Sequence, residues 1–444
     1  MHKKSLLRKL IMISISMVLF LNISGCNILG SSNKSDQEQT ENTSEGNVTD
    51  SANDLMANLK SENPEPDQDL EKAEFMQQFS VELLKTLAAD SDDNILFSPL
   101  SIYYALGMTQ NAASEDTVRQ ISEILHSEPD TLNRYLYSYR TLLDQEQDEN
   151  VKLNLANSLW LNQAMQDQIQ VQQKFLQTNA DYYGAELREI KFDDQGKDLI
   201  NSWVDQNTKG MIPEIIDQIP QDAFMYLVNA LAFEGKWQHK YEEEDIEEAF
   251  FYPADNEQPE EIQMMYSTEN KYFENEQAKG FLKNYKNPRY AFMAILPDHD
   301  LSLEEYIAGL DSDSLGELFD SVREEEVETG IPEFTTEFAT ELSDALKSLG
   351  MNDAFDPAAS NFTDGFKSQN PVIINRILHK TYIEVDAEGT KAAAATAVEF
   401  ATTMAPIDEV NKVILDRPFI YLIIDQELEV PIFVGKMLSI KSEE

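Results

Sequence analysis

Glu388-Gly389-Thr390-Lys391-Ala392-Ala393-Ala394-Ala395-Thr396-Ala397 is the most informative stretch of this chain. Hydrophobic blocks flank it, yet the stretch itself holds almost no side chain large enough to fill a core. Alanine is the best helix former, but a helix of this composition would have no apolar stripe with which to dock. A period of two residues describes the stretch and its continuation better, because a strand places alternate side chains on opposite faces.

The two faces of such a strand differ in charge. One face carries Thr390, Ala392, Ala394, Thr396, Val398 and Phe400. The other face carries both charged residues, Lys391 and Glu399, so the first face can be buried without an ion. The pattern predicts a strand with slim side chains near its start that slides between two neighbouring strands. Gly389 gives it a flexible pivot.

This wording resembles the hinge of the reactive loop in the serpin family. The residues that match the hinge are Glu388, Gly389, Thr390, Ala392, Ala393, Ala394 and Thr396. Blocks at 94–102, 201–212 and 227–237 are also similar to serpin blocks, and the resemblance extends over essentially all of residues 70–444. It implies an α+β fold with three β-sheets, about nine helices and an exposed reactive-centre loop. The chain departs from the family at Ala387 and Lys391, where glutamate is common, and at Asn111, where glycine is more frequent.

The resemblance also implies a mechanism and no cofactor. A target protease attacks the loop and forms its acyl-enzyme, after which residues 390–401 insert into the main sheet and distort the protease. Serpin loop insertion is itself an established example of strand addition. The predicted function is therefore suicide inhibition of a protease by a monomeric protein. The alternatives are a non-inhibitory serpin and a surface ligand-binding lipoprotein.

Two local patterns predict structure from the residues alone. Ser98 suits the N-cap and Pro99 the first turn of a helix, so a helix is expected to start there. The continuous apolar run at 227–237 predicts a strand that is covered on both faces. Asn229 in that run and His379 near another strand are polar groups in apolar surroundings, which cost about 1–3 kcal/mol each when unpaired.

The resemblance gives these polar groups a role. It places Asn229 and His379 opposite each other in the shutter, where the main sheet parts, with Ser98 and Ser101 beneath them. It also places Trp237 in the breach, at the top of that sheet. Without the resemblance, His379 would be interpreted as an ordinary hydrogen-bonded core histidine.

The reactive bond is placed by family spacing. It falls between Thr403 and Met404, or one residue later between Met404 and Ala405. The run 400–405 contains no Lys or Arg, which argues against a trypsin-like target with a carboxylate in its pocket. Small Thr and unbranched Met favour the shallow apolar pockets of elastase-like or subtilisin-like serine proteases. A cationic host or competitor protease is the expected partner, with a cysteine protease as the alternative.

The N-terminus has the pattern of an export signal. A basic start is followed by an apolar stretch and then by Ile23-Ser24-Gly25-Cys26, which is typical of a lipoprotein cleavage site. Residues 1–25 are predicted to be the signal peptide, and Cys26, the only cysteine, to carry a lipid that anchors the protein to the membrane. A plain signal peptide and an uncleaved anchor helix are the alternatives. The protein is expected to be exported, either anchored at the cell surface or extracellular.

Charge and composition limit the partners further. The formal net charge is −47, and removal of residues 1–25, with four Lys/Arg and no acids, lowers it to −51. Such a body is not expected to bind nucleic acid, although it would attract cationic proteins. Residues 26–69 are polar and acidic and are predicted to be a disordered tether. The sequence has no catalytic motif that we recognise and its five histidines are scattered, so neither an enzyme nor a metal site is predicted.

Overall fold

The computed structural model describes residues 53–57, 59–146, 148–221, 223–254, 258–390 and 410–441. The predicted signal peptide, Cys26, the first part of the tether, the hinge residues from Ala392 to Thr396 and both candidate reactive bonds lie outside these ranges. No helix in the described ranges is long and apolar enough to cross a bilayer.

The described ranges contain nine α-helices. They are α1 (Glu74–Ala89), α2 (Pro99–Gln110), α3 (Glu115–Ile124), α4 (Pro129–Glu146), α5 (Gln173–Tyr182), α6 (Asp194–Asn207), α7 (Leu303–Gly309), α8 (Ser314–Asp320) and α9 (Ser343–Leu349).

The same ranges contain nineteen β-strands. They are β1 (Asn53–Asp54), β2 (Ile95–Phe97), β3 (Val151–Asn162), β4 (Ile169–Val171), β5 (Glu186–Ile190), β6 (Met225–Lys236), β7 (Ile246–Phe251), β8 (Glu260–Glu269), β9 (Tyr272–Glu274), β10 (Ala278–Asn284), β11 (Tyr290–Pro297), β12 (Val327–Pro332), β13 (Phe334–Glu341), β14 (Phe366–Ser368), β15 (Leu378–Val385), β16 (Gly389–Thr390), β17 (Asn411–Ile414), β18 (Phe419–Asp425) and β19 (Val430–Met437).

Three large sheets organise these strands. The seven-stranded sheet has the order β1-β5-β3-β6-β16-β15-β13, the six-stranded sheet the order β2-β19-β18-β11-β10-β9 and the four-stranded sheet the order β17-β12-β8-β7. The expected α+β fold with three sheets and about nine helices is thereby confirmed. A further two-stranded sheet of β14 and β4 was missed, because three-residue strands leave almost no pattern in the sequence.

Both faces of β6 are buried, as its apolar run predicts. Leu227, Leu231 and Phe233 belong to the main core, whereas Tyr226 and Val228 belong to a second apolar cluster with residues of α6. Helix α2 packs against β6 and β19, and all twelve of its residues are buried. The seven-stranded sheet is thus held between α2 on one face and α6 on the other.

Helix α2 begins where the sequence predicts. Ser98 is its N-cap in an extended conformation, and the Ser98 hydroxyl accepts a hydrogen bond of 3.1 Å from the Ser101 backbone N–H. Pro99 occupies the first helical turn, where its missing N–H costs nothing. The predicted cap is confirmed, and it fixes Ser98 and Ser101 beneath the main sheet.

Residues 53–69 differ from the predicted disordered tether, because the described part of this segment lies against the folded body. Strand β1 pairs with β5 at the edge of the seven-stranded sheet. Further contacts include hydrogen bonds from the backbone N–H of Leu55 to Leu187 O (2.9 Å), of Glu62 to Asp181 Oδ1 (2.7 Å) and of Asp67 to Ser138 Oγ (2.8 Å). The partners belong to the body, so the composition of the segment alone could not reveal them.

Candidate functional site at the opening of the main sheet

Strand β16 marks the place where the seven-stranded sheet is open to a further strand. Gly389 pairs with Lys236 and Thr390 with Gly235 on one side, and Thr390 pairs with Val385 on the other. Below this point β6 and β15 are parallel neighbours joined by a bridge between Leu227 and Ile377. An antiparallel strand that continues from Thr390 would fit between them with the same pairing that β16 already makes.

A tight turn delivers the chain from β15 to β16. The Asp386 carboxylate accepts hydrogen bonds from the backbone N–H groups of Glu388 (2.8 Å) and Gly389 (3.0 Å). The Asp386 N–H donates to the Gly389 carbonyl at 3.0 Å. Burial, with neighbouring acids including Glu384 and Glu388, raises the pKa of Asp386. The sequence analysis did not single out this aspartate, although Asp ahead of a Gly is a common turn signal.

Gly389 and Thr390 are already packed inside the sheet. A Cβ atom on Gly389 would lie 2.0 Å from the Gly235 carbonyl oxygen, so no other residue fits there without a shift of the backbone. Thr390 is only 1% exposed, and its hydroxyl lies 2.7 Å from the hydroxyl of Tyr285. Thr390 is therefore part of the native sheet before any cleavage occurs.

Trp237 holds the turn from the other side. Its indole N–H donates to the Asp386 carbonyl at 2.9 Å, and its backbone N–H donates to the Glu388 carbonyl at 3.0 Å. The indole is fully buried and stacks on the Tyr285 ring with centroids 4.6 Å apart. The residue assigned to the breach thus lies in direct contact with the hinge.

Three of the four predicted shutter residues line one small cavity deeper in the sheet, and the fourth, Ser98, is hydrogen-bonded to one of them. The cavity between β6 and β15 is lined in part by Ser101, Asn229 and His379. The Ser98 backbone N–H donates to His379 Nε2 at 3.1 Å. Because Nε2 accepts this bond, the imidazole is neutral and carries its proton on Nδ1.

Asn229 has different partners from those the resemblance implied. It accepts a hydrogen bond from the Ser101 hydroxyl and donates one to the side chain of Asn157 on β3. No direct hydrogen bond joins Asn229 to His379 in the described part of the chain. The pairing across the cavity is therefore indirect, through the N-terminal turn of α2. Asn157 was missed because it lies in a strand of mixed polarity, where one more amide carries no signal.

The shutter gives the fold a dependence on pH. Burial lowers the pKa of His379 from 6.5 to about 4, so the folded protein keeps the ring neutral while the unfolded chain takes up a proton. The contribution to stability is complete above pH 6.5 and is lost as the pH falls from 6.5 to about 4. At full extent it amounts to about 3 kcal/mol.

We expect His379→Gln to remove this part of the pH dependence, because the amide oxygen can accept the Ser98 N–H without titrating. Thermal midpoints of both proteins, measured at one scan rate between pH 7 and pH 4, test the expectation. The carboxylates titrate in both proteins, so the difference between the two curves isolates His379. Parallel curves would show that His379 is not the titrating group.

Comparisons with known proteins agree with this geometry. A family model described as Serpin (serine protease inhibitor) matches residues 74–440. The chain is 29% identical over 373 residues to a serpin-like protein of Methanosarcina acetivorans, which covers 80% of this chain and 84% of the relative. The native-state crystal structure of tengpin, a thermophilic serpin, superposes with a TM-score of 0.82 at 37% identity and covers 88% of this chain and all of the other.

A more distant neighbour shows the fold alone. It is a thyroxine-binding globulin in complex with thyroxine, with a TM-score of 0.71 at 21% identity over 83% of this chain and 99% of the globulin. The same architecture therefore also occurs in a protein that binds a small molecule.

Proposed function

This chain belongs to the serpin family, and from that premise we propose that it inhibits a protease as a suicide substrate. The observation that carries the proposal is the hinge: the described part of β16, Gly389–Thr390, lies between two parallel strands that can accept its continuation. The residues that follow are small at alternate positions. A chain cut within the loop can thus extend β16 along the path that it already starts.

The chemistry of this function belongs to the protease. Its nucleophile attacks the carbonyl of the reactive bond, the amine leaves with the C-terminal part of the chain, and the acyl-enzyme stays attached to the new C-terminus. Insertion of residues 390–401 carries the attached protease along the sheet. If insertion precedes deacylation, the protease is trapped; if deacylation is faster, the chain is released as a cut substrate.

The inserting strand would start at the hinge and pass the shutter between β6 and β15. At the hinge, Thr390 keeps its strand partners when the following residues insert, because it already pairs with β6 on one side and β15 on the other. Lower down, the bridge between Leu227 and Ile377 must open. The neighbouring polar groups, Asn229 and His379, hold hydrogen bonds that can break and re-form, whereas interlocked aliphatic side chains resist separation.

The proposed target is an elastase-like or subtilisin-like serine protease. We expect incubation with an elastase to give a complex that survives a denaturing gel, and mass spectrometry to find a released peptide that begins at Met404 or Ala405. The expectation follows from the absence of Lys and Arg in 400–405. Trypsin is the matched control. Trapping of trypsin but not of elastase would contradict the specificity, and complete cleavage without any complex would favour the non-inhibitory alternative.

The proposed location is the outer face of a membrane. The support is the Ile23-Ser24-Gly25-Cys26 sequence at the end of an apolar stretch, and a diacylated cysteine would be a two-chain anchor. Metabolic labelling with a tagged fatty acid tests it, with Cys26→Ser as the unlabelled control. Label on the Cys26→Ser protein would show that the lipid is attached elsewhere.

A further inference from the structure

A buried ion pair lies between the segments that flank the loop, and it belongs to none of the features described so far. Lys283 on β10 is 2% exposed and its Nζ donates to Glu269 Oε1 at 2.7 Å. The Glu269 side chain is 11% exposed. Burial opposes the charge of Lys283, but Tyr241 and Glu269 outweigh it, so the pKa of the amine is raised. Burial of paired charges costs free energy of desolvation unless the geometry of the pair is good, so this pair is a candidate for a specific role.

On one side, Lys283 supports the hinge root, by which we mean residues 386–390. Its Nζ lies 4.2 Å from the centroid of the Tyr241 ring and 5.5 Å from that of Trp237. The backbone N–H of Tyr241 donates to the Ala387 carbonyl at 3.0 Å, and Trp237 holds Asp386 and Glu388. The ammonium group therefore contacts the two aromatic residues that fix the turn before β16.

On the other side, Glu269 belongs to the distal root. We define the distal root as β17 (Asn411–Ile414) together with β12 and β8, the strands that connect β17 to Glu269. Glu269 ends β8 and pairs with Val327, and Val327 pairs with Asn411 at the start of β17. Three neighbouring strands thus carry the connection from Glu269 to the first residues after the loop. The ion pair joins the six-stranded sheet to the four-stranded sheet directly beneath both ends of the loop.

The length of the loop explains why this connection matters. Eleven Cα steps from Thr390 to Ala401 extend about 36 Å as a strand. The ten steps from Ala401 back to Asn411 span at most about 35 Å, so even a fully stretched return leaves no length to turn out of the sheet and pass around its end. Complete insertion of an uncut loop therefore requires β17 to leave its sheet, whereas a cut loop inserts with β17 in place.

We propose that the Lys283–Glu269 pair is a cross-brace between the hinge root and the distal root that keeps the uncut loop from inserting. The proposal rests on the proposed inhibitory function for its biological purpose, since premature insertion would consume the inhibitor without a target. Lys283 and Glu269 are positioning residues in this account, because neither contacts the protease. They act on the uncut protein and leave the step after cleavage unchanged.

Three variants test the brace: Lys283→Met, Glu269→Gln and the two combined. Each uncut protein is held at 37 °C, and the fraction of loops that a protease can still cut is followed with time. We expect each single variant to lose cuttable loops at least about tenfold faster than wild type, because the remaining buried charge keeps only its hydrogen bond with Ser267 and has no counter-ion. The combined variant should lose them more slowly than either single variant, since no unpaired charge remains.

Hydrogen exchange separates a brace from a merely structural residue. In the single variants, peptides that cover residues 387–390 and 411–414 should exchange faster together. Lys152→Met is the matched control, because the Lys152–Glu234 pair (3.4 Å) joins β3 to β6 with side chains 42% and 27% exposed. Two results would overturn the brace. One is faster exchange confined to β8 and β10, and the other is loss of cuttable loops from Lys283→Met no faster than from Lys152→Met.

The readout also keeps the two proposals apart. Loop loss is scored by cutting and not by inhibition, so the brace can be judged in a protein that traps no protease. If the wild type is cut without trapping and the single variants lose cuttable loops fast, the inhibitory function is refuted and the brace is supported. If the wild type traps normally and the single variants lose cuttable loops at the wild-type rate, the inhibitory function is supported and the brace is refuted.

Discussion

We expect Thr390→Arg to turn the proposed inhibitor into a substrate. Thr390 is 1% exposed and paired with strands on both sides, so an arginine there must either bury a guanidinium without a partner or push β16 out of the sheet. Burial of an unpaired charge costs several kcal/mol. If that cost enters the barrier to insertion, each 1.4 kcal/mol slows insertion about tenfold relative to deacylation. We expect at least about ten chains to be cut per protease trapped.

The measurement is the ratio of cut chains to covalent complexes on a denaturing gel, together with the protease activity that survives. Two variants locate the cause. Thr390→Ser keeps the hydroxyl that lies 2.7 Å from Tyr285 and should trap normally. Tyr285→Phe removes only that hydrogen bond and should have a small effect. If Thr390→Arg traps protease as efficiently as wild type, insertion does not begin at β16 and the proposed mechanism is wrong.

The sequence predicts those parts of this structure that depend on local chemistry. Ser98 and Pro99 begin α2 because a cap and a fixed φ angle act within one turn of the chain. The run at 227–237 is buried on both faces because a period-free apolar strand has no side that tolerates water. The hinge composition likewise predicts that Gly389 and Thr390 enter the sheet, although it does not predict that they are in it before cleavage.

The remaining features depend on partners far away along the chain. Residues 53–69 were predicted to be disordered because their own apolar content is low, but the body supplies a strand edge and hydrogen-bond acceptors. Lys283 stands among apolar residues of β10, and its role depends on Glu269 and on two aromatic rings from the segment that follows β6. Asn157 becomes the partner of Asn229 only through the register of β3 and β6. No local pattern encodes these contacts.

A cut in the loop is expected to raise the thermal midpoint. Between β6 and β15 the described chain has only β16 and the bridge from Leu227 to Ile377, so an inserted strand would complete the sheet. Eleven further residues, 391–401, in a central strand add on the order of ten backbone hydrogen bonds at about 1 kcal/mol each. For a domain of this size that corresponds to a rise of about 10 °C or more. The uncut protein is then kinetically rather than thermodynamically stable.

Cutting with a metalloprotease makes the test clean, because its metal-activated water attacks the peptide directly and leaves no acyl-enzyme to be trapped. The thermal midpoint is measured before and after limited proteolysis at one scan rate, with mass spectrometry to show that the cut lies between residues 401 and 409, so that the whole inserting segment remains. Thr390→Arg, cut in the same way, is the comparison: burial of its guanidinium offsets several of the kcal/mol that the new strand contributes, so its midpoint should rise less than that of wild type. A cut wild type whose midpoint is unchanged or lower would mean that the loop does not insert, and the non-inhibitory alternative would then describe this serpin.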